Sequence, residues 1–306
     1  MAASKGDPTP ASAILKASRG GLIQLEDLPL HWRVNQHIHS GYRFRSTIYG
    51  CIASIFSISN ESFNIWSHAL GLYLVFLRQR DSEKRLAFGI SGLGYNGIPA
   101  EDSLALSSFS IACVVALFCS VSWHTMCCHS QQWVFDSFDT ADLMGVTILV
   151  AASALMIDYT AFYCDGFWRW SYCSLTGILA LGALISMATP TLRHADTAWL
   201  RVAFFVGIGF SSIIPIVHLV CSIGVAQAMS WYWPMVHVWV PVLIGALVYG
   251  TKVPESIWPG RFDYVGSSHN IWHVASLVTI INGHSAVEQM YLGALHGTLG
   301  TCQSGQ

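Results

Sequence analysis

Charged side chains are scarce in this sequence. Asp, Glu, Lys and Arg make up 10% of its 306 residues, whereas a typical soluble domain carries roughly 25%. Apolar residues reach 53%, and the mean hydropathy is +0.48. So few charges cannot cover the surface of a soluble domain of this length. We therefore predict an all-α, polytopic membrane protein.

The sequence also lacks a basic stripe, a disulfide framework and a secretory signal. A net charge of −2 argues against nucleic-acid binding. The nine cysteines are odd in number and lie mostly in apolar runs, which favours reduced thiols. Residues Met1 to Leu30 contain no apolar core of the required length. Because Met1 to about Gly21 is small, polar and proline-containing, we expect it to be disordered.

Seven apolar runs approach the ~20 residues that cross a bilayer. The first follows Asn60 and ends near Leu77. The others are Leu104–Cys127, Leu143–Ile157, Tyr172–Ala188, Val202–Ile223, Pro234–Tyr249 and Ile271–Leu292. The third and sixth runs are short, so we expect their helices to take in polar or interfacial residues. Arg45–Ile58 is predicted to form an interfacial helix, and Gln79–Asp102 a long loop.

The distribution of Lys and Arg predicts the orientation. Ten of these residues fall on the side of the N-terminus and five on the opposite side, so the N-terminus is predicted to be cytoplasmic. We predict a cytoplasmic, partly disordered N-terminal region at 1–45, a seven-helix transmembrane domain at 46–293 and a short tail at 294–306. Either the plasma membrane or the endoplasmic reticulum is compatible with this organisation.

Ionisable residues gather at one predicted depth. With seven spans, the cytoplasmic face receives His124 at the end of the second span. It also receives Asp139 and Asp142 at the start of the third, and His269 and His273 at the start of the seventh. The last two are four residues apart and so share one helix face. Ionisable side chains inside a membrane are costly and usually functional.

Three neutral imidazoles suit a zinc ion whose fourth position stays open, as in catalytic zinc sites. Such an ion lowers the pKa of a bound water toward ~7. Asp142 or Asp139 is placed to accept the proton. Ser120 lies one helical turn before His124, so its hydroxyl can orient the water or a substrate carbonyl.

Other interpretations compete with this one. Cys127, Cys128 and His129 could form a softer thiolate site, and Asp139 could cap the third span. A lone histidine within a span is more often a hydrogen-bonded contact between helices than a metal ligand. This interpretation applies to His68, His218, His237 and His284.

Three short motifs occupy the positions singled out above: Ser120-x-x-x-His124, Asp142-x-x-Gly145 and His269-x-x-x-His273. With the segments Leu25–Arg43 and Asn60–Gly71, they resemble the progestin and adiponectin receptor family, which includes the haemolysin-III-like proteins. The resemblance extends over about Leu25 to His284, most of the chain.

This resemblance implies seven helices of topology inverted relative to G-protein-coupled receptors. It also implies zinc near the cytoplasmic side, held by His124, His269 and His273, with an aspartate of the third span holding a water. The spacing from His124 to Asp142 is about one residue longer than in the family, and Asp139 lies one turn earlier. Gly145 favours Asp142, but both aspartates remain candidates.

The resemblance also implies ceramidase-like hydrolysis of a ceramide-like membrane lipid, with a role in lipid or zinc homeostasis or in signalling. A receptor or sensor with structural zinc is the alternative. A zinc or proton conduit is a third hypothesis, for which His284 and Glu288 would have to provide a polar path along the seventh span.

Overall fold

The chain folds mainly into α-helices. A computed structural model describes residues 7–92, 97–189 and 198–296, and within those ranges it contains isolated β-bridges but no strand. The helices are α1 (Pro10–Gly20), α2 (Ile48–Ala53), α3 (Ser62–Gly92), α4 (Ala100–Met126), α5 (Gln132–Ala161), α6 (Gly166–Ala188), α7 (Ala198–Ser211), α8 (Ile213–Ile223), α9 (Val225–Thr251) and α10 (Ser268–Leu295). The prediction of an all-α fold is confirmed.

Four of these helices, α4, α5, α6 and α9, are long and apolar enough to cross a membrane. Gly207–Ile223 is an apolar segment of shorter length. The third and sixth predicted spans are short as apolar runs, and α5 and α9 extend beyond both ends of those runs. These helices therefore include polar end residues, as predicted.

The first 21 residues are predicted to be disordered, which is wrong for the part that forms α1. Thr9 caps this helix by accepting a hydrogen bond from a backbone N–H three residues later, and a proline occupies the first helical position. Ala13 and Ala17 are buried against a cluster that includes Trp32 and Phe135. The cap and this packing offset the weak apolar content of the segment.

The predicted loop Gln79–Asp102 is also wrong in its first half, because α3 continues through it to residue 92. Its charged side chains find partners at helical spacing and on a neighbouring helix. The Gln79 amide donates to Glu83 four residues later, at 3.0 Å. Arg85 forms a salt bridge of 2.8 Å with Glu288 on α10. A charge-rich sequence can therefore remain helical here.

The predicted fifth span is divided into α7 and α8 at Ser212. Proline has no N–H group, so Pro215 cannot donate a hydrogen bond to the carbonyl of Ser211, four residues earlier. The break in the helix follows from this missing bond. The carbonyl of Ser211 therefore lacks its usual helical donor within an otherwise apolar segment.

Two compact units make up the chain, each assembled from separate stretches of sequence. The first contains Met1–Gly71, Leu117–Asp142 and Val242–Leu277. The second contains Leu72–Ala116, Leu143–Pro241 and Val278–Gln306. A core around Phe44, Trp123 and Phe135 packs the first unit, and one around Leu219, Trp231 and Met290 packs the second. All residues of the predicted metal site belong to the first unit.

Most of the cysteines are reduced, as predicted. The free thiols in the described ranges are Cys51, Cys113, Cys119, Cys127, Cys128, Cys173 and Cys221. Cys164, in the turn between α5 and α6, is disulfide-bonded, so the prediction is wrong for this residue. A disulfide requires an oxidising compartment on its side of the membrane.

Candidate metal site

Three histidines converge where α4 ends and α10 begins. His124 lies in the last turn of α4, and His269 and His273 lie on one face of the first turns of α10. Their ligand nitrogens all lie within 4.8 Å of one another. Nε2 of His124 is 3.1 Å from Nε2 of His269 and 3.0 Å from Nε2 of His273. The structure thus brings together the three histidines that the sequence analysis selects.

Buried polar contacts set the start of α10. Glu255 is fully buried, and its carboxylate accepts a hydrogen bond of 2.7 Å from the backbone N–H of Ser268, the first residue of the helix. Its negative charge complements the positive end of the helix dipole. Asn270 donates to Asn64 at 2.7 Å, which connects α10 to α3. The histidine pair is therefore carried by a helix whose start cannot shift freely.

Glu61, to which the sequence analysis assigns no role, contacts the site directly. Its Oε2 lies 2.7 Å from Nδ1 of His124. Burial opposes ionisation of this carboxyl, but the hydrogen bond from His124 lowers the pKa of Glu61 to about 2. The ionised carboxylate can only accept, so Nδ1 of His124 carries the proton and Nε2 keeps its lone pair. Carboxylates commonly hold metal-ligating imidazoles in this way.

The same reasoning applies to His273. Its Nδ1 lies 3.2 Å from Oγ of Ser67, whose own proton is donated to the carbonyl of Asn64 at 3.1 Å. Ser67 must therefore accept from Nδ1, which leaves a lone pair on Nε2 of His273. The lone pairs of His273 and His124 face each other at 3.0 Å. They repel unless a cation lies between them.

The donor set fits zinc. Tetrahedral zinc with bonds of about 2.0–2.1 Å to imidazole holds its ligand nitrogens about 3.4 Å apart. The nitrogen separations of 3.0 and 3.1 Å around His124 are close to this value. Neutral imidazoles with outward-bonded Nδ1 atoms are also the ligand form that zinc requires.

Asp142 and Ser120 lie beside the histidines. The Asp142 carboxylate lies close enough to the Ser120 hydroxyl and to His124 to interact with both. Both Asp142 and Asp139 lie two to three turns inside α5, which begins at Gln132, so neither opens the helix. The interpretation of Asp139 as a helix cap is therefore wrong.

His68 is also part of this site, although the sequence favours an ordinary helix contact. Its ring stacks on that of His273, with centroids 3.8 Å apart and planes inclined by 23°. Its Nδ1 lies 2.9 Å from the Ser120 hydroxyl. Ser120 is thus held between His68 and Asp142. The signal available in the sequence was the position of His68 at the cytoplasmic end of a predicted span.

The alternative thiolate site at residues 127–129 does not form among the described residues, where the three histidines are the metal-competent group. The free thiol of Cys128 instead interacts with the free thiol of Cys51. The hydrogen bond from Cys51 and the nearby charge of Arg43 lower the pKa of the Cys128 thiol to about 7. Arg43 also donates to the carbonyl of His124 at 2.7 Å. This group therefore supports the end of α4.

The other intramembrane histidines have structural contacts. His218 is bonded through Nδ1 to the Tyr172 hydroxyl at 2.8 Å, His237 is exposed next to Trp233, and Nδ1 of His284 bonds to a carbonyl of its own helix. Glu288, the other residue of the hypothetical conduit, is neutralised by Arg85. These contacts do not favour a conduit.

Replacing Glu61 with glutamine is expected to weaken zinc binding about 10- to 100-fold, because His124 loses its anionic partner. Competition with a fluorescent zinc chelator on the purified protein measures the effect. Glu26→Gln is the matched control, because Glu26 is exposed and belongs to the same unit. Equal zinc affinity of Glu61→Gln and wild type would contradict the positioning role.

Comparison with known proteins finds a matching family profile and several relatives. The profile of the haemolysin-III-related family matches residues 56–282. An uncharacterized protein of Schizosaccharomyces pombe is 32% identical over 269 residues, which cover 88% of this chain and 59% of that protein. Progestin and adipoQ receptor family member 3 of Mus musculus is 29% identical, with 87% of this chain and 84% of that protein covered. Heptahelical transmembrane protein 3 of Arabidopsis thaliana is 29% identical, with coverages of 83% and 82%.

Proposed function

Because this chain belongs to the haemolysin-III-related family, we propose that it is a seven-helix membrane protein whose zinc site hydrolyses a lipid amide, as a ceramidase does. One observation carries the proposal. The three imidazoles of His124, His269 and His273 converge with a carboxylate and a hydroxyl beside them. This set provides metal ligands, a proton acceptor and an orienting group in one place.

The proposed topology adds three spans to the four long apolar helices. These are α3, the α7–α8 pair and α10, and a relative named as heptahelical supports the count. With the N-terminus in the cytoplasm, the turn between α5 and α6 faces the opposite compartment. The disulfide-bonded Cys164 in that turn supports this orientation, because the non-cytoplasmic side of the plasma membrane or endoplasmic reticulum is oxidising.

In the proposed reaction, the zinc ion and the side chains have separate roles. Zinc held by the three histidines would supply Lewis acidity toward an amide carbonyl and toward water. Glu61 and Ser67 keep two of the imidazoles in their ligating tautomer through Nδ1. A carboxylate oxygen of Asp142 accepts the proton that the attacking water gives up, and the Ser120 hydroxyl orients that water. The products from a ceramide are a sphingoid base and a fatty acid.

A turnover assay tests the proposal. Purified wild-type protein with one zinc per chain is expected to cleave a fluorescent ceramide, and a diacylglycerol of matched chain length serves as the control substrate. Removal of zinc with a chelator should abolish turnover, and added zinc should restore it. Zinc bound at full stoichiometry without cleavage of any lipid amide would contradict the hydrolase proposal.

A receptor or sensor with structural zinc is the second candidate, favoured by relatives whose names include the word receptor. In that case removal of zinc lowers the stability of the protein, because the ion no longer binds and stabilises the native state. No product forms in the presence or absence of zinc. Lipid-amide turnover, measured with and without zinc, therefore separates the two candidates.

A further inference from the structure

A second group of buried polar side chains lies in the other compact unit, where α5, α6 and the α7–α8 junction meet. Asp158 and Thr176 are 0% exposed, and Ser211 and Ser212 are each 3% exposed. The proposed hydrolysis uses none of them. An aspartate buried in a membrane span is costly and is by default a candidate functional residue.

The hydrogen bonds of this group are incomplete. The Thr176 hydroxyl lies 2.7 Å from Oδ2 of Asp158 and 2.8 Å from the Ser211 hydroxyl, which in turn donates to the carbonyl of Ile208 at 2.7 Å. Two hydroxyl protons must therefore serve three contacts. Oδ1 of Asp158 and Oγ of Ser212 are buried with no hydrogen-bond partner in the described parts of the chain. The group has an excess of oxygen lone pairs.

Among the residues that the structure describes, no positive charge balances Asp158. Within residues 7–92, 97–189 and 198–296, the ion pairs of Lys, Arg and His involve other carboxylates. A buried carboxylate without a counter-ion is strongly unfavourable. Asp158 must therefore be neutralised, either by a proton or by a bound cation.

The break between α7 and α8 adds a further acceptor. Pro215 cannot donate to the carbonyl of Ser211, so this carbonyl lacks the donor that an uninterrupted helix would supply. Broken helices in membrane proteins commonly use such carbonyls, together with side-chain oxygens, to coordinate sodium. Hard cations prefer oxygen ligands of this kind.

We propose that Asp158, Thr176 and the Ser211–Ser212 junction bind a monovalent cation, with sodium as the natural occupant. A single carboxylate balances a single positive charge, whereas a divalent ion would leave a net charge in the apolar interior. Protonation of Asp158 would complete the chain of hydroxyl hydrogen bonds. It would still leave Oδ1 of Asp158 and Oγ of Ser212 without partners, whereas a cation bound by the carboxylate would be a partner for Oδ1.

Thermal unfolding of the full-length protein tests this site. Tryptophan fluorescence is followed in sodium chloride and in choline chloride at equal ionic strength. For wild type, sodium is expected to raise the Tm by about 3 °C, because an ion that binds the native state stabilises it. Asp158→Asn should lose this difference, and Ser212→Ala should need a higher sodium concentration to reach it. Binding of radioactive sodium to the wild type provides a direct measurement.

Thr160→Val is the matched control. Thr160 is a fully buried hydroxyl on the same helix that donates to a carbonyl of its own helix, so its loss should leave the sodium effect intact. Equal Tm values of wild type in sodium and choline would overturn the proposal in favour of a protonated Asp158. A sodium effect that survives in Asp158→Asn would overturn it as well. If Asp158→Asn does not fold, the Ser212→Ala titration and radioactive sodium binding decide.

Discussion

His273→Ala is expected to abolish stoichiometric zinc binding. The substitution removes one of three converging nitrogens and also the ring on which His68 stacks. Loss of a direct ligand should exceed the ~10- to 100-fold that loss of an outer partner costs, so affinity should fall by more than about 100-fold. Elemental analysis of the purified variant measures zinc per chain, and lipid-amide turnover should be lost in parallel.

Stability provides an independent measure of the same change. A chelator should lower the Tm of wild type, because zinc no longer stabilises the native state, and should leave the Tm of His273→Ala unchanged. His237→Ala is the control, because His237 is exposed in the other unit. A His273→Ala protein that folds and retains one zinc per chain would show that the three imidazoles do not form the metal site.

Asp142→Asn is expected to reduce kcat by about 10²- to 10⁴-fold while zinc remains bound, because the amide cannot accept the proton of the attacking water. The variant keeps the size of the side chain and its contact with Ser120. Zinc content and the KM for the lipid amide should change little. The measurement is steady-state turnover of ceramide by detergent-purified protein together with elemental analysis.

Two further variants on the same helix make this result specific. The Asp136 side chain is 41% exposed and pairs with His31 at 2.7 Å, away from the histidine triad, so Asp136→Asn should leave kcat unchanged. Asp139→Asn should reduce kcat less than Asp142→Asn, because Asp142 lies close to Ser120 and His124. A larger loss in Asp139→Asn would transfer the proposed role of proton acceptor to Asp139.

The sequence predicted much of the metal site because the relevant signals are local. The spacing of His269 and His273 selects one helix face, and alternation of spans brings His124 to the same end. The polar partners were harder to identify. Glu61 and His68 differ in no local pattern from ordinary residues at the entry to a span, and their contacts with His124 and His273 arise from residues far apart along the chain.

The helix boundaries also depend partly on local sequence and partly on contacts between residues distant along the chain. Apolar runs located the long helices, but they misjudged α1 and the continuation of α3. In those two places caps, small-residue packing and the Arg85–Glu288 pair stabilise polar sequence as helix. The break at Ser212 could be anticipated from Pro215. Its consequence could not, because Asp158 and Thr176 come from two other helices.

By itself, the sequence determined the all-helical membrane class, the family and the histidine triad. Composition, helical periodicity and motif spacing are properties of the chain that no folding step alters. Only the tertiary structure decided that Glu61, Ser67 and His68 surround the triad and that Asp142 contacts Ser120. It also decided that Asp158 and Thr176 lie next to Ser211 at the α7–α8 break. Each of these contacts depends on which helices become neighbours, and the packing of the whole chain determines those neighbours.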